Sequence, residues 1–306
     1  MYQYAWASIG DHCRNWGNRI IEQCAWYVMR HLCRPKVTIN PFVSIDPKQL
    51  VGCDFVVHGG ATVLDAKDSP GMYDLGIPLV VVGGALGSGR PTDYLCDDAT
   101  EWDDRMVKRV EKPIAVRDSL TARRVTGRGV GVVLVGCPTL FCREVFGPMG
   151  DREPYIAVSL GRGPLWRRAD VAIKIATKYQ WKICVVAHEY SQIDKGKELF
   201  GDVRIVGEAD PKKMIECYAR ASLTVTGRIH GAIPSLCYGT PTYYYESLKH
   251  DSRDQLLRDC GVKIYQVEDI WPEDGHGGWD VSKVDALKKA MMEWSRHACD
   301  KWKREK

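Results

Sequence analysis

The segment Leu223–Glu246 reads LTVTGRIHGAIPSLCYGTPTYYYE and places Arg228 and His230 two residues apart, directly after a short apolar run. Arginine is a permanent cation whose planar fork matches carboxylates and phosphates. Histidine takes up and releases a proton near neutrality. The pair can hold an anion and move a proton. The pattern predicts a strand over Leu223–Thr226, a turn through Gly227–Gly231, a helix over about Ala232–Tyr238, a stop at Gly239 and a strand over Thr242–Tyr245. With Gly231 at its entrance, the helix presents backbone N–H groups and a partial positive charge beside the pair. The plainer reading is a buried βαβ unit whose Arg and His cap chain ends. It suits a lone histidine better than Arg-x-His.

Four other constellations carry polar groups at strand ends. In GDHCRNWGNRII, residues 10–21, a strand ends at Ser8, and Asp11, Asn15 and Asn18 precede a helix. They either cap that helix or line a ligand site. In DFVVHGG, residues 54–60, a buried strand ends at His58 and runs into Gly59 and Gly60, which allow either close ligand approach or tight strand-to-helix packing. VVVGGALGSGR, residues 80–90, is Gly-rich but lacks the Gly-Lys-Ser/Thr of a phosphate loop and the spacing of a dinucleotide fingerprint, so it reads as a flexible loop. In IAVRDS, residues 114–119, Arg117 emerges at a strand end, where it pairs with a local carboxylate or binds an anionic substrate. Lys249, after the last of these strands, is a mobile point charge suited to phosphate or carboxylate, or a plain surface lysine.

The elements that must position these residues alternate along the chain. Apolar runs at Tyr4–Ser8, Val37–Ile39, Asp54–His58, Leu79–Val82, Ile114–Val116 and Val132–Val135 read as strands. A second series follows at Tyr155–Leu160, Lys182–His188, Val203–Val206, Leu223–Thr226 and Thr242–Tyr245. Short, fully apolar strands separated by amphipathic helices predict parallel sheets covered on both faces. Among the helices, Gly17–Leu32 spaces Ile20, Ile21, Cys24, Ala25 and Val28 along one face, and Val281–Lys301 carries Val284, Leu287, Met291 and Trp294. Gly, Pro and charge concentrate in FGPMGDREP, residues 146–154, which marks a linker. The expectation is two α/β domains, residues 1–148 and 149–306, the second ending in the C-terminal helix. Their sheets would face each other across a cleft at the carboxyl ends of the strands, where open α/β sheets bind ligands.

Composition bounds the function. The 306 residues are 45% hydrophobic and 27% charged, with a net charge of +4, which suits a soluble globular protein and gives little support to nucleic-acid binding. The 12 cysteines contain no C-x-x-C pair and several fall within apolar runs, so they read as reduced core residues of a cytoplasmic protein. No metal-ligand spacing is visible, no signal peptide is expected, and no run approaches the ~18 apolar residues of a membrane span. The oligomeric state is not encoded in any pattern.

Taken together, GDHCRNWGNRII, CDFVVHGG, IPLVVVGGALGSG, IAVRDSLTARR, VGCPTLF and LTVTGRIHGAIPSLCYGTPTYYYESLK resemble the polysaccharide pyruvyl transferase family, in the family's order from about Gly10 to Lys249. The resemblance implies two Rossmann-like domains in a GT-B-like arrangement, the first serving the acceptor and the second the donor. It implies transfer of a pyruvyl group from phosphoenolpyruvate to sugar hydroxyls of a glycan or glycoconjugate, commonly as a ketal, with no further cofactor and no metal. Carried over by motif, His230 is the general acid, and Arg117, Arg228, Lys249 and Gly231 bind the donor. Asp11, Asn15, Asn18, His58, Gly59 and Gly60 fall to the acceptor or a cleft loop. The partners are then a small-molecule donor and a sugar-containing acceptor. Two other readings use the same scaffold: a glycosyltransferase taking a nucleotide sugar, with Glu246 on the ribose, and a catalytically silent binding protein.

Overall fold

Parallel pairing of short strands builds a four-stranded and a two-stranded sheet before Pro138 and a six-stranded sheet after it. The computed structural model describes residues 3–8, 15–32, 35–41, 45–60, 76–85, 110–127, 129–160, 165–207, 210–245, 252–265 and 278–304. The chain divides into two compact units: Met1–Cys13 with Ile21–Pro138 and Val284–Lys306, and Arg14–Ile20 with Thr139–Lys283.

In the first unit, β1 (Tyr4–Ala7), β2 (Val37–Ile39), β3 (Phe55–His58) and β4 (Leu79–Val81) form a parallel sheet in the order β2-β1-β3-β4. Parallel bridges Leu79↔Val110 and Gly84↔Val116 continue it into the parallel pair β5 (Ile114–Val116) and β6 (Val132–Leu134). Strands β1, β3, β4 and β5 are buried at every position, which explains their unbroken apolar sequences. Helix α1 (Gly17–Val28) buries Ile20, Ile21, Cys24, Ala25 and Val28, the face its spacing predicted. Gly59 lets α1 approach, because a side chain there would begin 3.2 Å from Ala25 Cβ and 3.3 Å from the Trp6 ring. Gly60 has φ +94°, and a side chain would begin 2.7 Å from Val82 O. The Gly pair therefore serves backbone packing. Helix α2 (Ser119–Thr126) starts at Asp118, whose Oδ1 accepts from Thr121 N at 2.8 Å.

In the second unit, α3 (Cys142–Phe146) leads to β7 (Glu153–Ser159), α4 (Leu165–Tyr179), β8 (Lys182–Val186), α5 (Ser191–Phe200), β9 (Arg204–Val206), α6 (Pro211–Arg220), β10 (Ala221–Thr226), α7 (Ile229–Cys237), β11 (Thr242–Tyr245), α8 (Ser252–Asp259) and β12 (Ile264–Tyr265). The sheet is parallel throughout, in the order β12-β11-β10-β7-β8-β9. It winds one way from β7 and the opposite way from β10, so its switch point lies between those two strands. The core packs Ile156, Val158, Leu223, Val225 and Tyr243 of the sheet against Ala172 and Ile175 of α4. Each such side chain contributes roughly 1.5–3 kcal/mol by burial.

The unit boundaries differ from the expected division at residue 148. Cys237 Sγ contacts the carbonyls of Thr139 (3.6 Å) and Leu140 (3.4 Å), and the Tyr238 hydroxyl donates to Gly147 O at 2.8 Å. These bonds tie residues 139–147 to α7, although the Gly/Pro signal lies later. The last helix, α9 (Val281–Arg304), belongs from Val284 onward to the first unit and not to the second. Trp294 Nε1 donates to Pro113 O at 2.8 Å, and Lys301 pairs with Glu111. The nine described cysteines are buried, and none forms a disulfide. No helix among the described residues is long and apolar enough to cross a membrane.

His58 ends β3 with its imidazole buried, and burial lowers its pKa from 6.5 to about 3. In the unfolded chain the same ring protonates below about pH 6.5. Between those values the unfolded state binds more protons, so the stability contributed by neutral His58 is complete above about pH 6.5 and is lost as pH falls toward 3. Urea unfolding from about pH 7 to about pH 4 should show stability falling with acid, with His58 supplying up to ~1.4 kcal/mol per pH unit. His58→Leu should flatten that slope; an unchanged slope contradicts the assignment.

Candidate functional site

The start of α7 is set by a hydroxyl. Thr226 Oγ1, at the end of β10, accepts from Arg228 N at 2.9 Å, and Arg228 O accepts from Gly231 N (2.9 Å) and Ala232 N (3.0 Å). The helix therefore begins at Ile229, three residues before the predicted start. Arg228 becomes its N-cap and His230 falls in its first turn. Ser235 Oγ donates to Gly231 O at 2.8 Å and bonds Thr224 Oγ1 at 2.8 Å, fixing α7 on β10. Gly231 is hemmed in: a side chain would begin 2.9 Å from Thr226 Oγ1 and 3.0 Å from the Tyr218 hydroxyl.

Two guanidiniums flank this helix start. Arg228 Nε donates to Leu160 O at 2.9 Å, just past the end of β7, and its terminal nitrogen pairs with Glu189. Arg168 of α4 is 1% exposed and packs against Gly227. Burial pulls the Arg168 pKa down, with Tyr244, Asp254 and Arg228 among its charged and polar neighbours. Both cations thus lie at the carboxyl ends of β7 and β10, at the switch point.

A second histidine completes the cluster. His188 follows β8 and is wholly buried. Its N–H donates to Gln192 Oε1 at 2.7 Å, its carbonyl accepts from Trp16 N at 2.7 Å, and its Nε2 lies 2.6 Å from the Tyr218 hydroxyl. Gln192 Nε2 donates in turn to Leu160 O at 2.6 Å and to Glu189 at 3.0 Å. Burial holds the His188 pKa well below the usual imidazole range, with the positive charge of Arg228 and His230 acting in the same direction. Burial likewise pushes the Tyr218 phenol up. The first turn of α1 lies against both histidines. A side chain at Gly17 would begin 2.8 Å from His188 Nδ1, 2.9 Å from His230 Nδ1 and 3.2 Å from Asn15 Oδ1. Asn15 Oδ1 accepts from Gly17 N at 3.1 Å, so Asn15 anchors this turn.

Such a cluster, with two guanidiniums, two imidazoles and a helix N-terminus, suits binding an anion and transferring a proton to it. The model of the family described as "Polysaccharide pyruvyl transferase" matches residues 12–247. The chain belongs to the polysaccharide pyruvyl transferase family. As a member it is a polysaccharide-modifying transferase. No curated protein matches the chain. Among solved structures it resembles UDP-GlcNAc 2-epimerase from Neisseria meningitidis bound to UDP-GlcNAc, with TM-score 0.61 and 8% identity over 99% of each chain. It also resembles S. aureus MnaA with UDP, with TM-score 0.58 and 9% identity over 95% of this chain and 90% of that one. A third likeness is to the glycotransferase of kitacinnamycin, with TM-score 0.53 and 13% identity over 99% and 98%. At these identities the likeness shows the fold, which is GT-B-like.

The second unit brings together His230, Arg228, Gly231 and Asn15. Asn18 stands in the same turn as Asn15, its N–H donating to Asn15 O at 3.0 Å. Arg117, His58, Gly59 and Gly60 belong to the first unit. There Arg117 N donates to Gly84 O at 2.8 Å, and Arg117 Nε lies 3.6 Å from Asp118, which is the local-carboxylate reading of that arginine. Asp11, Lys249 and Glu246 lie outside the described residues. Among the described residues no group of His, Cys, Asp and Glu is arranged to hold a metal ion. Sequence reasoning did not single out Gly17, Arg168, His188 or Tyr218. The histidine at the end of KICVVAH was the available signal.

Gly17→Ala should strain the cluster, since neither ring can retreat far within a packed interior. The expected cost is roughly 1–3 kcal/mol of stability, with a matching drop in thermal midpoint. Gly278→Ala, where the space is open, should leave the midpoint unchanged. Equal midpoints for the two variants contradict the close approach at Gly17.

Proposed function

We propose that the protein transfers a pyruvyl group from phosphoenolpyruvate to sugar hydroxyls of a glycan or glycoconjugate, closing a ketal. The observation that carries this reading is the placing of Arg228 and His230 in one helix start, with Arg168 beside it. Phosphoenolpyruvate presents a phosphate and a carboxylate, and several cations are needed to hold it. Arg228 and Arg168 supply two, and the N-terminus of α7 adds partial positive charge. In this reading Lys249 adds a further cation to the clamp, and the Asp11, Asn15 and Asn18 loop serves the acceptor. Glu189 already pairs with Arg228, their side chains 36% and 14% exposed. A donor carboxylate or phosphate would take the place of Glu189 on this guanidinium, whose planar fork fits either anion.

The chemistry then runs on His230. Its imidazolium gives a proton to the enol methylene, so C2 becomes electrophilic and the methylene becomes a methyl group. A sugar hydroxyl adds to C2 and its proton passes to the now neutral His230. The C–O bond to phosphate breaks with phosphate leaving, and a second hydroxyl adds at C2, giving its proton to the departing phosphate and closing the ketal. No further cofactor enters this scheme.

Thermal unfolding with each candidate donor tests the assignment. A ligand that binds only the folded state stabilises it by about 2.7 kcal/mol at a hundred times its Kd. Phosphoenolpyruvate should raise the midpoint, and Arg228→Ala should abolish most of the rise. A rise with UDP-sugars but none with phosphoenolpyruvate replaces this reading by a glycosyltransferase, and a rise with neither points to a silent scaffold. For the proton step, His230→Gln should keep the fold and donor binding while losing turnover by ~10²–10⁴-fold. Near-normal turnover in that variant means that His230 only orients a ligand.

A further inference from the structure

We infer that His188 is a positioning residue for His230, a neutral imidazole locked by Tyr218 that turns the lone pair of Nδ1 toward His230 and so favours the protonated form of that residue. The inference rests on the reading of His230 as the acid.

The geometry comes from three elements. His188 Nε2 lies 2.6 Å from the Tyr218 hydroxyl on α6. Its main chain is fixed on both sides, by Gln192 Oε1 on the N–H and by Trp16 N on the carbonyl. Its Nδ1 has no hydrogen-bond partner among the described residues and lies 2.8 Å from the point that a Cβ on Gly17 would occupy, with His230 Nδ1 2.9 Å from the same point. The two rings are therefore close neighbours across the start of α1. The charged and titratable groups around His188 are Tyr218 from α6, Arg228 and His230 from the start of α7, and Glu189 beside it in sequence. Among the described residues the start of α1 brings Asn15, Trp16 and Gly17 to this place, all of them uncharged.

Two imidazolium ions cannot stand this close beside a guanidinium. Only one of the histidines can carry a proton charge, and His188 is the more deeply buried. Burial and the two cations hold it neutral. A neutral imidazole keeps one donor nitrogen and one acceptor nitrogen. With the Nε2 proton directed to the Tyr218 oxygen, the Nδ1 lone pair is left toward His230. That negative end of the ring dipole offsets part of the repulsion from Arg228. The proton then resides on His230, where the enol methylene can receive it. The same geometry accounts for Gly17, since any side chain there would wedge between the two nitrogens.

Histidine-labelled ¹⁵N and ¹³C spectra of the full chain, from about pH 5 to about pH 8, test this. His188 should stay neutral with its proton on Nε2 throughout, and Tyr218→Phe should mix its tautomers. With phosphoenolpyruvate as donor, His188→Gln should lower kcat about tenfold or more, keep the KM for the donor within about threefold, and move the basic limb of the pH profile to lower pH. A purely structural role would leave that limb in place. The inference is overturned if His188 titrates like an ordinary imidazole, or if its tautomer is the same in Tyr218→Phe as in the natural chain. Where His188→Gln fails to fold, the Tyr218→Phe spectra decide. If phosphoenolpyruvate supports no turnover, the donor reading fails, while the spectra still judge His188.

Discussion

The pairing of β7 with β10 is the constraint from which the site follows. Their register sets Ser159 beside Thr226, so the two chains leave the sheet side by side. Because the sheet winds in opposite directions from these strands, their carboxyl ends form its switch point, the place where open α/β sheets bind ligands. Leu160 O would be an orphaned buried acceptor there. It is satisfied instead by Arg228 Nε and Gln192 Nε2. One carbonyl thus fixes the guanidinium that faces the site and the glutamine that orients His188. Removing either donor leaves the other to satisfy Leu160 O, but it also releases a chemical group from its place.

Electrostatics divides the cluster into charged and neutral members. Arg228 keeps a partly solvated carboxylate partner. His188 and Tyr218 are pushed toward their neutral forms by burial. An interior that concentrates guanidiniums beside a neutral His188 favours anions. The net charge of +4 over 306 residues gives no hint of this, because the effect is local and depends on desolvation more than on counts.

Much of the architecture was legible in the sequence. Unbroken apolar strands and amphipathic helices announced two parallel sheets, and Arg-x-His-Gly announced where to look. What was missed depended on contacts between distant residues. The expected α7 start falls too late because the Thr226 hydroxyl that fixes the preceding turn, by accepting from Arg228 N, reads as an ordinary strand residue. His188 was absorbed into the strand run Lys182–His188, whereas β8 stops at Val186, and only Tyr218, from a different helix, gives its ring a role. Arg168 looks like a surface cation on α4 until the long-range fold buries it against Gly227. The Gly/Pro-rich linker signal fell after the true division because Cys237 and Tyr238 claim the preceding segment. Local composition finds flexible chain, and tertiary hydrogen bonds decide which side owns it.

If this cluster delivers a proton to the enol methylene of a bound phosphoenolpyruvate, the isotopic content of the product records it. In deuterium oxide, an acid that exchanges with solvent and protonates the methylene leaves a pyruvyl methyl group bearing a single deuterium, readable by mass spectrometry of the modified saccharide. That label is expected in every transferred pyruvyl group. A transferred group without deuterium in its methyl, or a product that gains a sugar and no pyruvyl group, would contradict it.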